Sequence, residues 1–521
     1  MPETAPAPAH RSAPPDRRRW WGLAVLLLPV LLTSMDMSIL YLAIPSIAQA
    51  LDPTASQMLW ILDVYGFLLA GLLIVMGNVG DRIGRRRLLM LGAVVFGVAS
   101  LLAAFAPSAP VLIAARALMG VGGATLMPST LSLIRNMFPD DGERTRAIGI
   151  WTAGFAGGSA LGPIAGGVLL EHFWWGSVFL VNVPVLVGLL IVTPLVVPEY
   201  RHPRPDRLDL FSAVLSLAAI LPLVWAIKTV AEHGAVTPAA LAAAGAGLAC
   251  GAGFVARQRR LATPLVDVSL FASRRFSAAL VAGSLAMFSL VGVMLTHSQY
   301  LQLVLELSPL TAALWLLPVL AAVGGFAVVA TTLSSRVPSA AIVGVGAGVA
   351  AVGFVVFSGT PVDDGLARSV IGAALIGAGI SGIMALATDL VVASVSPSRS
   401  GAASALSETA NELGAALGIA VLGSVAAAAY RTSMSSGLPT DLPADAVAAV
   451  TSGLATALEV AARLPGDAAE ALTELARVAF VDGLRASALV GAAVLAVLAV
   501  VAPILLRRGR SGAYADSSQA R

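Results

Sequence analysis

Apolar residues in this chain gather into long stretches, and short polar segments separate these stretches from one another. A helix needs about 20 predominantly apolar residues to cross the hydrocarbon core of a bilayer. Fourteen stretches approach that length, at 21–44, 57–77, 87–106, 109–134, 145–169, 175–197, 209–229, 237–256, 276–300, 309–332, 338–358, 367–394, 401–428 and 486–507. The pattern therefore predicts an all-α integral membrane protein with fourteen transmembrane helices.

Charged residues alternate in sign from one predicted loop to the next. Arginines fill the segments 17–19, 82–87 and 257–260, whereas the alternate loops carry acids such as Asp52 and Glu171 and almost no arginine. Cytoplasmic loops carry an excess of basic residues, so this alternation predicts that both termini are cytoplasmic. The heavy use of Ala, Gly and Arg is typical of a GC-rich bacterial genome, and the predicted location is the bacterial plasma membrane.

A faint internal repeat divides the chain into two halves. Arg144 and Arg399 lie at matching positions before the fifth and thirteenth spans, and Arg336 follows span 10 as the arginines at 82–87 follow span 2. Parallel repeats about an axis along the membrane normal occur in many transporters, although chance similarity of arginine-containing loops is an alternative. The predicted units are a disordered cytoplasmic N-terminus at 1–19, a six-helix bundle at 20–200, two inserted helices at 201–262, a second six-helix bundle at 263–508 and a cytoplasmic tail at 509–521.

The segment 430–485, between the last two predicted spans, differs from its surroundings. It holds seven acidic residues, while Val447, Val450 and Leu454 recur at helical spacing. The Pro-Gly pair at 465–466 marks a turn. The segment therefore predicts an extracellular amphipathic helical hairpin, and a disordered loop is the alternative.

Composition excludes several classes of protein. The chain is 58% hydrophobic and only 12% charged, whereas soluble domains have about 25% charged residues. The net charge of +3 is small and the arginines lie beside spans, so we expect no nucleic-acid partner. A single cysteine excludes an intrachain disulfide. The five histidines are scattered, so we predict neither a metal site nor an enzyme.

A charged elbow lies between the second and third predicted spans. Its motif residues are Gly77, Gly80, Asp81, Arg82, Gly84, Arg85 and Arg86. The three glycines let two helix ends approach closely and turn sharply, while the arginines hold the elbow on the cytoplasmic side. We expect Asp81 to bind these arginines or a helix N-terminus, so that the elbow gates the inward face. A plain loop that stops membrane insertion is the alternative.

Four acidic residues stand out within predicted spans, where ionisable groups are costly and therefore candidates for function; Asp389, near the end of span 12, is as readily structural. The four are Asp36 in span 1, Asp63 in span 2, and Glu408 and Glu412 in span 13, which share one helix face. A carboxylate in a low-dielectric cavity can exchange protons near neutral pH and can also neutralise a cation. We expect Asp36 and Asp63 to form one such site and the two glutamates its counterpart. Structural carboxylates bonded to a neighbouring helix are the alternative.

Other residues within spans could support such a site. Arg116 is expected to meet a carboxylate or backbone carbonyls, because an unpaired arginine there would be costly, and to tune the proton step. Three aromatic residues could offer cation–π faces, although packing is the more common role: Trp60, Tyr65 and Trp315. A dense set of small residues in span 5 permits close helix packing around a proline: Gly158, Gly162, Pro163, Gly166 and Gly167.

Several of these motifs resemble those of the major facilitator superfamily. The elbow resembles motif A of that superfamily, Arg116 resembles its motif B arginine, and 158–167 resembles its motif C, the antiporter motif. Residues 32–45 and 174–184 resemble the span 1 and span 6 motifs of the fourteen-span drug:proton antiporters. The resemblance covers nearly the full chain. It implies the major facilitator fold, with two six-helix bundles and two inserted helices.

Within that family, the segments 60–65 and 407–414 are similar to the QacA/LfrA-type multidrug efflux pumps. This resemblance implies export of lipophilic cations, such as quaternary ammonium compounds and dyes, driven by proton entry. The acids that match positions used for protons or substrate are Asp36, Asp63, Glu408 and Glu412. The chain departs from the group at 309–332, which holds no acid, and this departure bears on the recognition of bulky dications.

The expected function is proton-coupled efflux of hydrophobic or cationic small molecules by alternating access. We expect the protein to work as a monomer in the lipid bilayer, without a cofactor, and to be driven by the proton gradient. A dedicated exporter of one endogenous antibiotic, lipid or metabolite is the first alternative. A non-transporting membrane protein, such as a sensor, is the second, but the sequence shows neither a nucleotide-binding loop nor a plausible Ser/His/Asp arrangement.

Overall fold

The computed structural model describes nearly the whole chain as helices and connecting loops. The described residues are 17–201, 209–233, 236–261, 264, 268–334, 336–393, 400–438 and 444–506, and they contain no β-strand. The predicted disordered N-terminus lies outside them except for its last three residues, as does the predicted C-terminal tail.

Eighteen α-helices form from the described residues. They are α1 (Arg17–Leu51), α2 (Ala55–Ile83), α3 (Arg85–Ala104), α4 (Ala109–Met137), α5 (Asp141–His172), α6 (Ser177–Leu180), α7 (Asn182–Val196), α8 (Leu210–His233), α9 (Pro238–Gln258), α10 (Arg274–Gln299), α11 (Pro309–Trp315), α12 (Leu317–Leu333), α13 (Ser339–Ser358), α14 (Leu366–Ala393), α15 (Ser400–Gly437), α16 (Ala444–Ser452), α17 (Leu454–Ala461) and α18 (Gly466–Leu506). Two short turns flank α10, a 3₁₀ turn at Val268–Ala272 and a π turn at Tyr300–Val304.

Length and apolar composition identify this chain as a multi-pass membrane protein. Eleven helical segments of the described chain are long and apolar enough to cross a bilayer. Two shorter apolar segments, Trp60–Leu73 and Val214–Ala226, lie within α2 and α8. The prediction of an all-α integral membrane protein is therefore confirmed.

Several helices extend well beyond the apolar stretches that predict them. The first runs from Arg17 to Leu51, whereas its apolar stretch covers 21–44. A helix ends where a cap or a breaker ends it, not where polarity begins. At the start of α2, for example, Thr54 and Gln57 form a capping box in which each side chain accepts from the other residue's backbone N–H.

The polar segment 430–485 is largely a continuation of the two long helices that flank it. Helix α15 runs on to Gly437 and α18 begins at Gly466, with α16 and α17 between them; 439–443 lie outside the described residues. Tyr430 Oη donates to the Val450 carbonyl at 2.9 Å, which ties α15 to α16. The part of the predicted hairpin after the turn at 465–466 thus shares α18 with the last span, whereas the part before it consists of the separate helices α16 and α17. The extracellular side of this segment remains a prediction.

Two separate hydrophobic cores hold these helices together. One is built almost entirely from residues 23–197 and the other almost entirely from 276–506. Helices α8 and α9 pack against each other, and α8 also contacts α2 and α15, which belong to different cores. A hydrogen-bond network joins α9 to the start of α8, where Arg257 Nη2 donates to Asp209 Oδ1 at 2.9 Å.

The elbow between α2 and α3 is shorter than the glycine spacing predicts. Helix α2 continues through Gly77 and Gly80 to Ile83, and Gly84 alone separates it from α3. Gly84 has φ 110° and ψ 134°, a backbone conformation that is essentially restricted to glycine. Only Gly84 makes the turn, because the α-helical hydrogen bonds persist as far as Gly84 N–H, which donates to Gly80 O. The expected close approach occurs at Gly80, where a Cβ atom would lie 2.9 Å from Arg85 Cδ, but not at Gly77, which faces nothing within 4 Å.

Glu199, which the sequence does not single out, holds the elbow. Its carboxylate accepts from the backbone N–H groups of Arg86 at 3.0 Å and Arg87 at 3.2 Å, at the N-terminus of α3. An acidic group is favourable there because the first N–H groups of a helix lack intrahelical partners. Arg201 Nη2 donates to the Ile83 carbonyl at 2.9 Å, at the end of α2. The side chain of Asp81, predicted for such a role, lies outside the described residues.

Substituting Gly84 with alanine is expected to destabilise this elbow. A Cβ atom at Gly84 would lie 2.6 Å from Glu199 Oε1, and a non-glycine residue at this φ costs about 1–3 kcal/mol. We expect the apparent Tm of purified Gly84→Ala to fall below that of the wild type. Gly77→Ala is the matched control, since its Cβ would meet nothing within 4 Å. Equal Tm values for the two variants would contradict the assignment.

Candidate functional site

A buried ion pair lies at the centre of the first half of the chain. Arg116 Nη1 on α4 donates to Asp36 Oδ2 on α1 at 2.5 Å, and both side chains are 1% exposed. The guanidinium also donates from Nε to the Ile61 carbonyl at 3.1 Å. Its Cζ lies 4.8 Å from the centre of the Tyr65 ring. Arg116 therefore meets both a carboxylate and a carbonyl, which are the two kinds of partner expected for it.

The second oxygen of Asp36 faces helix α7. Asn182 Nδ2 lies 3.4 Å from Asp36 Oδ1 and 3.3 Å from Ser100 Oγ on α3. Asn182 is 1% exposed and Ser100 is fully buried. Side chains from α4 and α7 thus enclose the carboxylate that α1 provides, and Asp36 as a whole is 3% exposed.

A small cavity lies beside this ion pair. Its volume is about 50 Å³, and the polar groups on its wall include Asp63, Tyr65, Arg116, Glu412 and Tyr41. The rest of the wall is formed by Gly66 and by leucine, methionine, valine and alanine side chains. This volume has room for water but is far below the 300–1,000 Å³ typical of drug-sized sites. A larger molecule could enter only if the surrounding helices moved apart.

The cavity joins two carboxylates from opposite halves of the chain. Asp63 lies on α2 and is 8% exposed; Glu412 lies on α15 and is also 8% exposed. This differs from the predicted grouping, in which Asp63 and Asp36 share one site and Glu412 belongs to another. Helices of different halves face each other here, whereas spacing along the chain shows only which residues share one helix.

Close contact between α2 and α15 places Glu412 in the cavity. A Cβ atom at Gly66 would lie 2.7 Å from Glu412 Cδ. The absence of a side chain at Gly66 therefore leaves the space that the carboxylate occupies. Because the end of a glutamate side chain can move, a methyl group here would displace the carboxylate while leaving the packing of the helices intact.

The Gly66→Ala variant is therefore expected to fold normally and to lose function. Misplacing a reacting group by about 1 Å can reduce a rate by about 100-fold, so we expect at least a tenfold loss of substrate flux. Gly71→Ala on the same helix is the matched control, because its Cβ would meet the apolar Leu217 side chain. Flux should be measured at equal protein content with Tm as the folding control. Wild-type flux in Gly66→Ala would contradict this role.

The remaining predicted residues fall into different places. Glu408 lies on α15, but its side chain is outside the described residues. Among the predicted aromatic residues, Tyr65 lines the cavity, and its ring already faces the Arg116 guanidinium. Trp60 and Trp315 are not among the cavity-lining residues, and Trp315 is 41% exposed.

The small residues of α5 pack against α1 and α11. A Cβ atom at Gly158 would lie 2.6 Å from the Leu31 carbonyl, and one at Gly162 would lie 2.9 Å from the Met35 carbonyl. Gly166 faces Ile39, which is also on α1, while Gly167 faces Leu310 on α11, in the other half of the chain. Pro163 is buried within α5, which continues on both sides of it.

Further contacts between the halves lie at the helix ends that the sequence predicts to face outside. Ser298 Oγ on α10 donates to the Tyr41 carbonyl on α1 at 3.0 Å. Glu171 Oε2 at the end of α5 accepts from Ser308 Oγ at 3.0 Å. These hydrogen bonds hold the two halves together at Tyr41, on the cavity wall, and at the end of α5.

Chemically, the site offers carboxylates in an enclosed space and a fixed guanidinium beside them. Such carboxylates can bind a proton or face a cation, and the flexible Met37 and Met287 side chains in the wall can adapt to different apolar shapes. No group of three or more metal-ligating side chains occurs within the described ranges. Sequence reasoning missed Asn182, Tyr41 and Gly66, because a search for charged side chains within apolar stretches passes over residues that carry no charge at neutral pH.

Comparisons with known proteins agree on one family. A model described as Major Facilitator Superfamily matches residues 26–419. The multidrug efflux pump LfrA of Mycolicibacterium smegmatis is 46% identical over 493 residues, covering 94% of this chain and 97% of LfrA. The methyl viologen resistance protein SmvA of Salmonella typhimurium is 36% identical and covers 76% of this chain and 80% of SmvA.

Two further comparisons extend the range of relatives. The tetracenomycin C resistance and export protein of Streptomyces glaucescens is 31% identical, covering 95% of this chain and 93% of its own length. Among solved structures, the inward-facing bacterial homologue of the human lysosomal transporter Spinster matches with a TM-score of 0.66 at 18% identity. That match covers 95% of this chain and 98% of the other. At this identity the structural match supports the fold alone.

Proposed function

The chain belongs to the Major Facilitator Superfamily, and from this premise we propose that it exports hydrophobic, cationic molecules in exchange for protons. It is a multi-pass membrane transporter and not an enzyme, as its family shows. The finer proposal concerns the driving ion, the substrate class and the residues that couple them.

One observation carries the proposal. Asp63 and Glu412, from opposite halves of the chain, lie in the same enclosed cavity next to the Arg116 guanidinium. Burying two acids near each other is costly if both are ionised. Either a proton or a substrate cation would relieve that cost. Competition between the two for the same carboxylates couples proton entry to cation exit.

The two halves supply the movement. We propose fourteen spans, with bundles at 20–200 and 263–508, the inserted helices at 201–262 and both termini in the cytoplasm. The outer contacts seal the cavity in this conformation, and rocking of the bundles opens it to either side. The elbow around Gly84, held by Glu199, keeps the inner ends of α2 and α3 together as one unit. The protein acts as a monomer and needs no cofactor besides the proton gradient.

The substrate class follows from the site and from the relatives. Enclosed carboxylates favour cations, and the flexible apolar wall favours molecules with large apolar surfaces. Relatives named for multidrug efflux and for resistance to methyl viologen, an organic dication, support this class. We propose quaternary ammonium compounds, cationic dyes and cationic antibiotics as substrates.

Transport by purified protein tests the proposal. The wild-type protein is reconstituted into liposomes, a pH gradient of either direction is imposed, and the movement of tetraphenylphosphonium is recorded. We expect accumulation of the cation on the acidic side and none in protein-free liposomes. Cation movement that ignores the pH gradient would contradict proton coupling.

A dedicated exporter of one antibiotic is the second candidate, and the relative named for tetracenomycin C export favours it. A panel of dissimilar cations and neutral antibiotics in the same liposomes separates the two. Transport of several unrelated cations supports multidrug export, and transport of a single compound supports the dedicated exporter.

A further inference from the structure

Asn182 occupies an unusual place beside the buried ion pair. Its amide nitrogen faces Asp36 Oδ1 at 3.4 Å and Ser100 Oγ at 3.3 Å. Its amide oxygen is fully buried and has no hydrogen-bond partner in the described part of the chain. A buried acceptor without a partner costs about 1–3 kcal/mol, so a role for this oxygen in another state of the site would explain it.

An amide side chain can serve both protonation states of a neighbouring carboxyl group. The nitrogen donates to an ionised carboxylate, whereas the oxygen accepts from the O–H of a protonated one. Rotating the amide by half a turn exchanges these atoms with little change of shape. Leucine has a similar shape but neither a donor nor an acceptor, so it cannot serve either state.

We propose that Asn182 is a positioning residue that holds Asp36 in place both when Asp36 is ionised and when it carries a proton. In the structure the amide nitrogen donates to Asp36 Oδ1 at 3.4 Å, which is the arrangement that an ionised carboxylate requires. When Asp36 takes up a proton, the amide turns, and the new O–H donates to the oxygen of Asn182. This inference rests on the proposed exchange of protons.

The groups that face Asp36 from the surrounding helices set its charge balance. Arg116 comes from α4 and forms the ion pair. The adjoining cavity brings Asp63 and Tyr65 from α2, Tyr41 from α1 and Glu412 from α15. Helix α7 contains no titratable side chain. The titratable side chains of α5 lie within the first six and the last two residues of that helix. Those of α10 are two arginines at its start and a histidine near its end. Arg116 is the partner in contact with Asp36, and Asn182 adds the contact that adapts to both states.

Asn182→Leu tests the inference through the pH dependence of transport. The ionised carboxylate loses a charge-assisted hydrogen bond, which is stronger than the neutral one that the protonated form loses. The protonated form is therefore favoured, and we expect the pH profile of tetraphenylphosphonium transport to shift upward by about one pH unit. Ser100→Ala is the matched control, because it removes the other neighbour of the amide but leaves the contact with Asp36.

Asn182→Asp provides a second variant of nearly unchanged shape. A second carboxyl group beside Asp36 disfavours ionisation of both, so we expect a larger upward shift than for leucine. A folded Asn182→Leu or Asn182→Asp protein with the wild-type pH profile would overturn the inference, as would a rate that falls equally at every pH. If wild-type transport itself ignores the pH gradient, the proposed function fails, and this inference fails with it.

Discussion

Replacing Arg116 with glutamine is expected to destabilise the protein by about 3–5 kcal/mol. The Asp36 side chain is 1% exposed and takes its shortest hydrogen bond from Arg116. Glutamine would leave the buried Asp36 carboxylate without a counter-charge. Removing one partner of a buried ion pair is far more costly than removing both, because the remaining charge stays unsolvated.

The double variant distinguishes this cause from a general loss of packing. We expect Asp36→Asn combined with Arg116→Gln to recover most of the stability lost in Arg116→Gln alone. Apparent Tm values of the purified proteins in detergent provide the measurement. The exposed Arg146, also in the first half of the chain, gives a control variant, Arg146→Gln, that should match the wild type. If the double variant is no more stable than Arg116→Gln, ion-pair burial does not explain the loss.

Replacing Glu412 with glutamine is expected to abolish transport driven by a pH gradient. Glutamine keeps the shape of the side chain next to Gly66 but can neither carry a proton nor neutralise a cation. Flux in liposomes should therefore fall to the level of protein-free vesicles, while the apparent Tm stays near the wild-type value. Asp63→Asn should give the same loss, because the two acids line one cavity.

Glu459→Gln is the matched control for this experiment, since Glu459 is exposed on α17 and far along the chain from the cavity residues. Its flux should equal that of the wild type. Gradient-driven flux by Glu412→Gln at the wild-type rate would show that this carboxylate is not needed for coupling.

The helices could be predicted because apolar stretches of about 20 residues have few alternatives in a membrane. The ends of these helices could not be predicted, because polar residues that favour helix formation prolong a helix beyond the bilayer. Helix α18 shows this: its apolar stretch covers 486–507, but the helix begins at Gly466 in an alanine-rich polar segment.

The acids of the site could be predicted because charge within an apolar stretch is conspicuous. Their grouping could not, because it depends on which helices face each other. Asp63 and Glu412 line one cavity, whereas Asp36 is bound by Arg116 and Asn182. Glu199 was missed for a related reason: it lies in a loop after α7, and only the fold brings it to the start of α3.

The most direct test is to follow protons and a cation on the same sample. Purified wild-type protein in weakly buffered detergent is titrated with tetraphenylphosphonium at several pH values, while the released protons are recorded. If the cation displaces one proton from the carboxylates of the cavity, its binding releases protons. Below the titration midpoint, the affinity for the cation should then rise by about tenfold for each unit by which the pH is increased. An affinity that does not change with pH, with no proton release, would contradict the competition between proton and cation.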